Sequence, residues 1–199
     1  MKLKTLTVIS FTTLLVISFM LNTFVDKKTY RDLQALPSLP RPIAKEMVLI
    51  TSAGQSTDAY MIKDIANKLM LHNFFMPQAV EPDLENINTV VFVAGYSDIG
   101  EKLQEISFQD EKKRIDKLLN SVKEKEIPII TIYIGGNSRR NRKTDMLLKM
   151  TCKESDYIIS TTDSNYDQFL SNLAKEHNIP ITLVEDIRDI TEPFVSAFR

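Results

Sequence analysis

Tryptophan is absent, histidine occurs twice, at His72 and His177, and cysteine only once, at Cys152. A single cysteine rules out an intrachain disulfide and a zinc site built on several thiolates. Such a lone thiol is expected to behave as a small buried hydrophobe rather than as a nucleophile. No H-E-x-x-H spacing marks a metal and no G-x-S-x-G elbow marks a serine hydrolase, so no metal and no cofactor is assigned. Positive charge is not in surplus: 25 Lys and Arg stand against 26 Asp and Glu, a formal net charge of −1. A general nucleic-acid binder neutralises many phosphates with excess Lys and Arg, so nucleic acid is excluded as a partner. Glycine is scarce, with five in 199 residues, which makes the places where it falls informative.

Charge is missing altogether from Thr5 to Val25, 21 consecutive residues preceded by Lys2 and Lys4. A helix of that length would reach about 31 Å, enough to cross the hydrocarbon layer. Residues 1–25 are therefore read as an N-terminal anchor. The basic start holds the terminus in the cytoplasm and sends the rest outward, which places the protein at the cell membrane with its domain outside. The alternative is a cleaved export signal, although the run closes on MLNTFV without small residues at A-x-A spacing. Residues 26–45 carry Pro37, Pro40 and Pro42 and read as an extended, semi-rigid linker.

From 46 to 199 short apolar runs alternate with amphipathic helical patterns. Met47 to Ile50, Thr89 to Ala94, Ile127 to Ile134, 156–160 and 179–184 read as buried strands. A weak strand at 74–80, interrupted by Pro77, belongs at a sheet edge. Between them, 57–73, 108–126, 144–153 and 166–177 carry helical periodicity, and the tail at 191–198 suggests a short packing helix. The charge run in 108–126 reads as a solvated face. The phrases EKEIPIITI and EHNIPITLV are two copies of one helix-to-strand junction, each opening its strand with a proline where no ladder donor is needed. With 43% hydrophobic residues and room for one core, this alternation predicts an α/β domain: flavodoxin-like, doubly wound, with a mainly parallel sheet and helices on both faces.

All five glycines, Gly54, Gly95, Gly100, Gly135 and Gly136, fall just after predicted strands, at the carboxyl rim where open α/β sheets bind ligands. Glu46 to Ala59 holds the first such turn. Ser52, Gly54, Gln55, Ser56 and Thr57 there form a cradle of amides and side-chain donors suited to a carboxylate or phosphate; Ser56 or Thr57 also suits a plain helix cap. Gly95 and Tyr96 open a second edge, with Tyr96 either a lid or a ring packed on its loop. Gly135 and Gly136 precede Arg139 and Arg140, whose guanidinium forks suit a planar anion; with Arg142 and Lys143 they also read as a solvated basic loop. His72 and His177 sit where a cation suits a helix dipole and receive no catalytic role.

ITSAGQSTD at 50–58 and YIGGNSRRNRKTD at 133–145 resemble the signature segments of a bacterial family of exported α/β proteins known as a domain of unknown function. The similarity runs from about Glu46 to the C-terminus, including DYIIS and IPITLVED. It implies extracytoplasmic placement and a shared pocket, and no activity. The leading functional reading is a noncatalytic binding domain for a small anionic molecule, anchored to the membrane, with no protein partner indicated. Three alternatives stand beside it: a hydrolase or transferase using Ser56 as nucleophile or Asp98 as base, a flavin mononucleotide binder with SAGQST as a relaxed phosphate loop and Tyr96 as the stacking ring, and a structural interaction module whose glycine edge is only a feature of the fold.

Overall fold

The computed structural model describes residues 37–199. Residues 1–25, expected to be an anchor, and the first part of the expected linker at 26–45 lie outside the described residues, and among those described no helix is long and apolar enough to cross a membrane. Six strands, β1 (Val48–Ala53), β2 (Asn73–Phe75), β3 (Thr89–Ala94), β4 (Ile129–Tyr133), β5 (Tyr157–Thr161) and β6 (Ile181–Val184), form one sheet in the order β2-β1-β3-β4-β5-β6. Every neighbouring pair is parallel. The helices are α1 (Asp58–Lys68), α2 (Asp98–Leu103), α3 (Phe108–Glu124), α4 (Arg142–Lys153), α5 (Phe169–His177) and α6 (Thr191–Ser196).

Side chains alternate along the strands and so feed two cores. Leu49, Val90, Phe92, Ile129 and Ile158 face a cluster completed by Ile115, Leu118, Leu147 and Leu170 of α3, α4 and α5. Val48, Ile50, Val91, Ile130 and Ile159 face the opposite cluster, completed by Ile62 of α1 and Phe194 of α6. Both sheet faces are therefore dry, and the central strands read as continuous apolar runs for that reason. The chain leaves β1 toward β2 across one face and returns toward β3 and β4 across the other, as right-handed crossovers require. The winding reverses between β1 and β3, which makes their carboxyl ends the topological switch point.

β2 is short and lies at the edge, as Pro77 implied; the Pro77 carbonyl accepts from the Ser52 amide at 3.2 Å. Pro128 and Pro180 precede β4 and β6, and their carbonyls accept from Val90 and Ile158 of the adjoining strands at 2.9 and 3.0 Å. The described end of the linker lies on the body: the Ile43 and Ala44 amides donate to the Ala197 carbonyl, and Leu39 donates to Ser196 Oγ at 3.0 Å. Two elements differ from the sequence reading. β2 ends at Phe75, so Pro77 follows the strand instead of interrupting it. The 97–100 turn continues into α2, whose Ser97 cap accepts from the Gly100 amide.

Candidate functional site

Gly54, Gly95 and Gly135 end β1, β3 and β4 on one rim, and the turns they belong to do converge. The Ser97 amide donates to the Gly54 carbonyl at 2.9 Å, Gln55 bridges to Tyr96, and Arg139 of the β4 loop reaches Asp58 at the start of α1 at 2.7 Å. Gly54 is required there. Its φ is +113°, and a Cβ would lie 2.5 Å from the Gly95 carbonyl oxygen, so neither the backbone nor the space admits a side chain.

The β1 cradle, expected to be open to an outside anion, is occupied by the chain itself. Glu111 Oε1 accepts from the Gly54 amide at 2.8 Å and Oε2 from Gln55 Nε2 at 2.9 Å. Arg114 grips the same carboxylate through Nε and Nη2 at 2.9 and 2.8 Å and also donates to the carbonyls of Ala79 and Ser52. The Glu111 side chain is 3% exposed. This corrects the reading of 108–126 as wholly solvated in its charges. Phe108, Glu111, Ile115, Leu118 and Val122 are all buried along α3, so Glu111 occupies a position on the apolar stripe, and that register was the available signal.

The remaining expected residues divide sharply. Ser56 is buried and its Oγ accepts from the Asp58 amide at 3.2 Å, which is cap chemistry; Thr57 makes no side-chain cap bond and is exposed. Ser52 Oγ is buried without a hydrogen-bond partner among the described residues. Tyr96 is no lid: its hydroxyl meets Asp98, Glu101 and Lys143, and its ring stands edge-on to Phe108 at 5.4 Å. Burial, with those carboxylates, pushes its phenol up, while the Tyr96 hydrogen bond, aided by Lys143, holds Glu101 below the usual carboxylate range.

Arg140 does not face the cleft. It is 4% exposed, bonded to Asp145 at 2.6 Å and to the Ser164 carbonyl at 2.8 Å, and stacked 4.5 Å from the Phe169 centroid. Arg139 is different: Nη1 holds Asp58, Nε donates to the Gly135 carbonyl at 3.2 Å, Nη2 has no partner among the described residues, and the side chain is 48% exposed. It borders a cleft of about 350 Å³ beyond β4, β5 and β6, lined with Gly135, Gly136, Ser138, Thr161, Asp163 and Glu185. Gly136 takes φ +65°, and its amide donates to Ser164 Oγ. Asp163 and Glu185 fall outside the glycine turns on which the sequence reading rests; for Asp163 the run Thr161-Thr162-Asp163-Ser164-Asn165 was the available turn signal.

Larger concavities, about 440 Å³ each, open at the amino rim among the helix-to-strand junctions around Glu126, Ile127 and Pro128. Those junctions lack the glycine turns and the half-exposed guanidinium of the carboxyl rim. Both histidines belong to the amino rim as well. The His72 carbonyl accepts from the Met47 and Val48 amides at the start of β1, and His177 closes α5 ahead of β6. Neither stands near Ser56 or Asp98 as a base. Among the described residues no group of three His, Cys, Asp or Glu is placed to hold a metal.

A six-stranded all-parallel sheet with helices on both faces, with its switch point closed by internal ion pairs and an arginine-edged cleft beside it, defines a doubly wound, flavodoxin-like α/β domain. The chain belongs to the family described as Domain of unknown function (DUF6305), whose profile matches residues 45–198. No curated protein matches it. Similar solved structures include AlinE4, an SGNH-hydrolase family esterase, at 9% identity over 69% of this chain and 75% of that chain, with a TM-score of 0.29. A serine-to-alanine mutant of that esterase matches at 10% identity over the same shares, again at 0.29. A likeness of that size says nothing of the chemistry at the rim.

Proposed function

We propose that this protein is a membrane-anchored, extracytoplasmic binding domain that takes a small anionic molecule, without catalysis, in the cleft beyond β4, β5 and β6. The observation that carries the reading is Arg139. Two of its nitrogens are fixed by Asp58 and Gly135, while Nη2 has no partner among the described residues, and the residue lines the cleft. A guanidinium so held meets a carboxylate or phosphate at little further entropic cost. Asp163 and Glu185 line the same cleft and would repel a bare polyanion, so the ligand also carries hydroxyl or ammonium donors for those two acceptors. Placement outside the cytoplasm rests on the uncharged run at 5–25 with Lys2 and Lys4 before it.

Calorimetric titration of the purified protein against hydroxy acids, amino acids and sugar phosphates tests the reading. A ligand that engages Arg139 loses about 10- to 100-fold in affinity in Arg139→Ala, the worth of a charge-assisted hydrogen bond. Binding that survives Arg139→Ala unchanged rejects the assignment, as does the failure of every such compound to bind.

A further inference from the structure

We infer that Glu111 is a resident ligand: the anion seat of the β1 turn is complete in this protein and is permanently filled by its own carboxylate. Two segments of the chain, the β1 turn and α3, supply the donors. Gly54 contributes a turn amide, Gln55 a side-chain amide and Arg114 a two-pronged guanidinium, and all four bonds to the carboxylate fall between 2.8 and 2.9 Å. The seat stands at the switch point, where open α/β sheets receive an external ligand's charged group. Because the turn is already closed by a buried side chain, the phosphate of a flavin or nucleotide is excluded from it.

The Arg114 and Gly54 donors are held independently of Glu111. Arg114 is anchored by the Ala79 and Ser52 carbonyls at 2.7 and 2.5 Å, and Gly54 is confined against Gly95 and Leu147. The Gln55 backbone is fixed by its bridge to Tyr96, while its Nε2 is oriented by Glu111. Cutting glutamate back to alanine removes a CH2 and a carboxylate, a fragment nearly the size of acetate. The vacated seat therefore keeps its shape and its positive charge, and it is specific for a small planar monocarboxylate.

The test compares the unaltered protein with Glu111→Ala in thermal melts and calorimetric titrations with sodium acetate or formate, against sodium chloride at equal ionic strength. The unaltered protein is expected to show no difference between acetate and chloride. Glu111→Ala is expected to melt roughly 10 °C lower, as removal of one partner of a buried ion pair does in a domain of this size, and to recover in a saturable way with acetate or formate but not with chloride. Glu111→Ala combined with Arg114→Ala abolishes the recovery, whereas Glu111→Ala combined with Arg139→Ala retains it, which separates this seat from the cleft proposed above. If Glu111→Ala does not fold when expressed, refolding from denaturant with and without acetate gives the same reading through the yield of soluble protein. The inference is overturned if acetate and chloride act alike on Glu111→Ala by melt or by refolding yield, or if the unaltered protein binds acetate, phosphate or flavin mononucleotide in a manner that Arg114→Ala removes.

Discussion

Adjacent residues in this chain have opposite fates. Arg139 and Arg140 are indistinguishable by type, yet one keeps a side chain 48% exposed and the other is 4% exposed. The neighbours decide. Arg140 finds Asp145 one turn into α4, the Ser164 carbonyl and the Phe169 ring, a set that fits a planar fork and not a point charge. Arg140→Lys should therefore lower stability by about 2 kcal/mol in urea unfolding, while Arg139→Lys stays within about 0.5 kcal/mol. Cys152 has no exposed surface, and burial pushes its thiol up to about 12. It should resist a thiol reagent at pH 8 in the folded protein and react at once in denaturant.

At the scale of elements, α2 shows how a short helix is held without a core of its own. None of its residues is buried, and it exposes Ile99 and Leu103. Its purchase on the body is polar and local: the Ser97 cap, the Tyr96 hydroxyl on Glu101, and Gly100 laid against the β1 turn. A Cβ at Gly100 would stand 2.3 Å from the Gln55 carbonyl oxygen, so Gly100→Ala must lift the helix. The expected cost is about 1 to 3 kcal/mol in denaturant unfolding, with faster amide exchange confined to α2 and the β1 turn. Should exchange rise evenly across the domain, the helix is not held in this way.

For the whole molecule, the charges that join separate elements set the response to acid. The Tyr96 hydrogen bond and Lys143 keep Glu101 below the glutamate value of 4.5, and Lys123 of α3 does the same for Glu154 beyond α4. A carboxylate whose folded pKa is depressed adds stability above its unfolded value, and that stability disappears as pH falls through the folded value. The melting temperature should thus be level above about pH 5 and fall progressively below about pH 4.5. Glu101→Gln and Glu154→Gln should each flatten part of that fall. Both groups are near the surface, so 0.5 M salt should flatten it too.

Much of this architecture was readable from residue order. The apolar runs at Thr89 to Ala94 and in IPIITI, closed by glycines and separated by amphipathic stretches, specify buried parallel strands because local periodicity and the two-sided burial of such strands leave little else. The same reasoning brought the glycines to one rim. What occupies that rim was settled only by the tertiary structure. Whether a carboxylate at 111 or a guanidinium at 140 meets solvent depends on partners 57 and 24 residues away in the chain. Sequence periodicity reports which face of an element is dry; it does not report which charges are brought together across elements, and in this protein those distant pairings close the turn at β1 and leave the cleft beside Arg139 open.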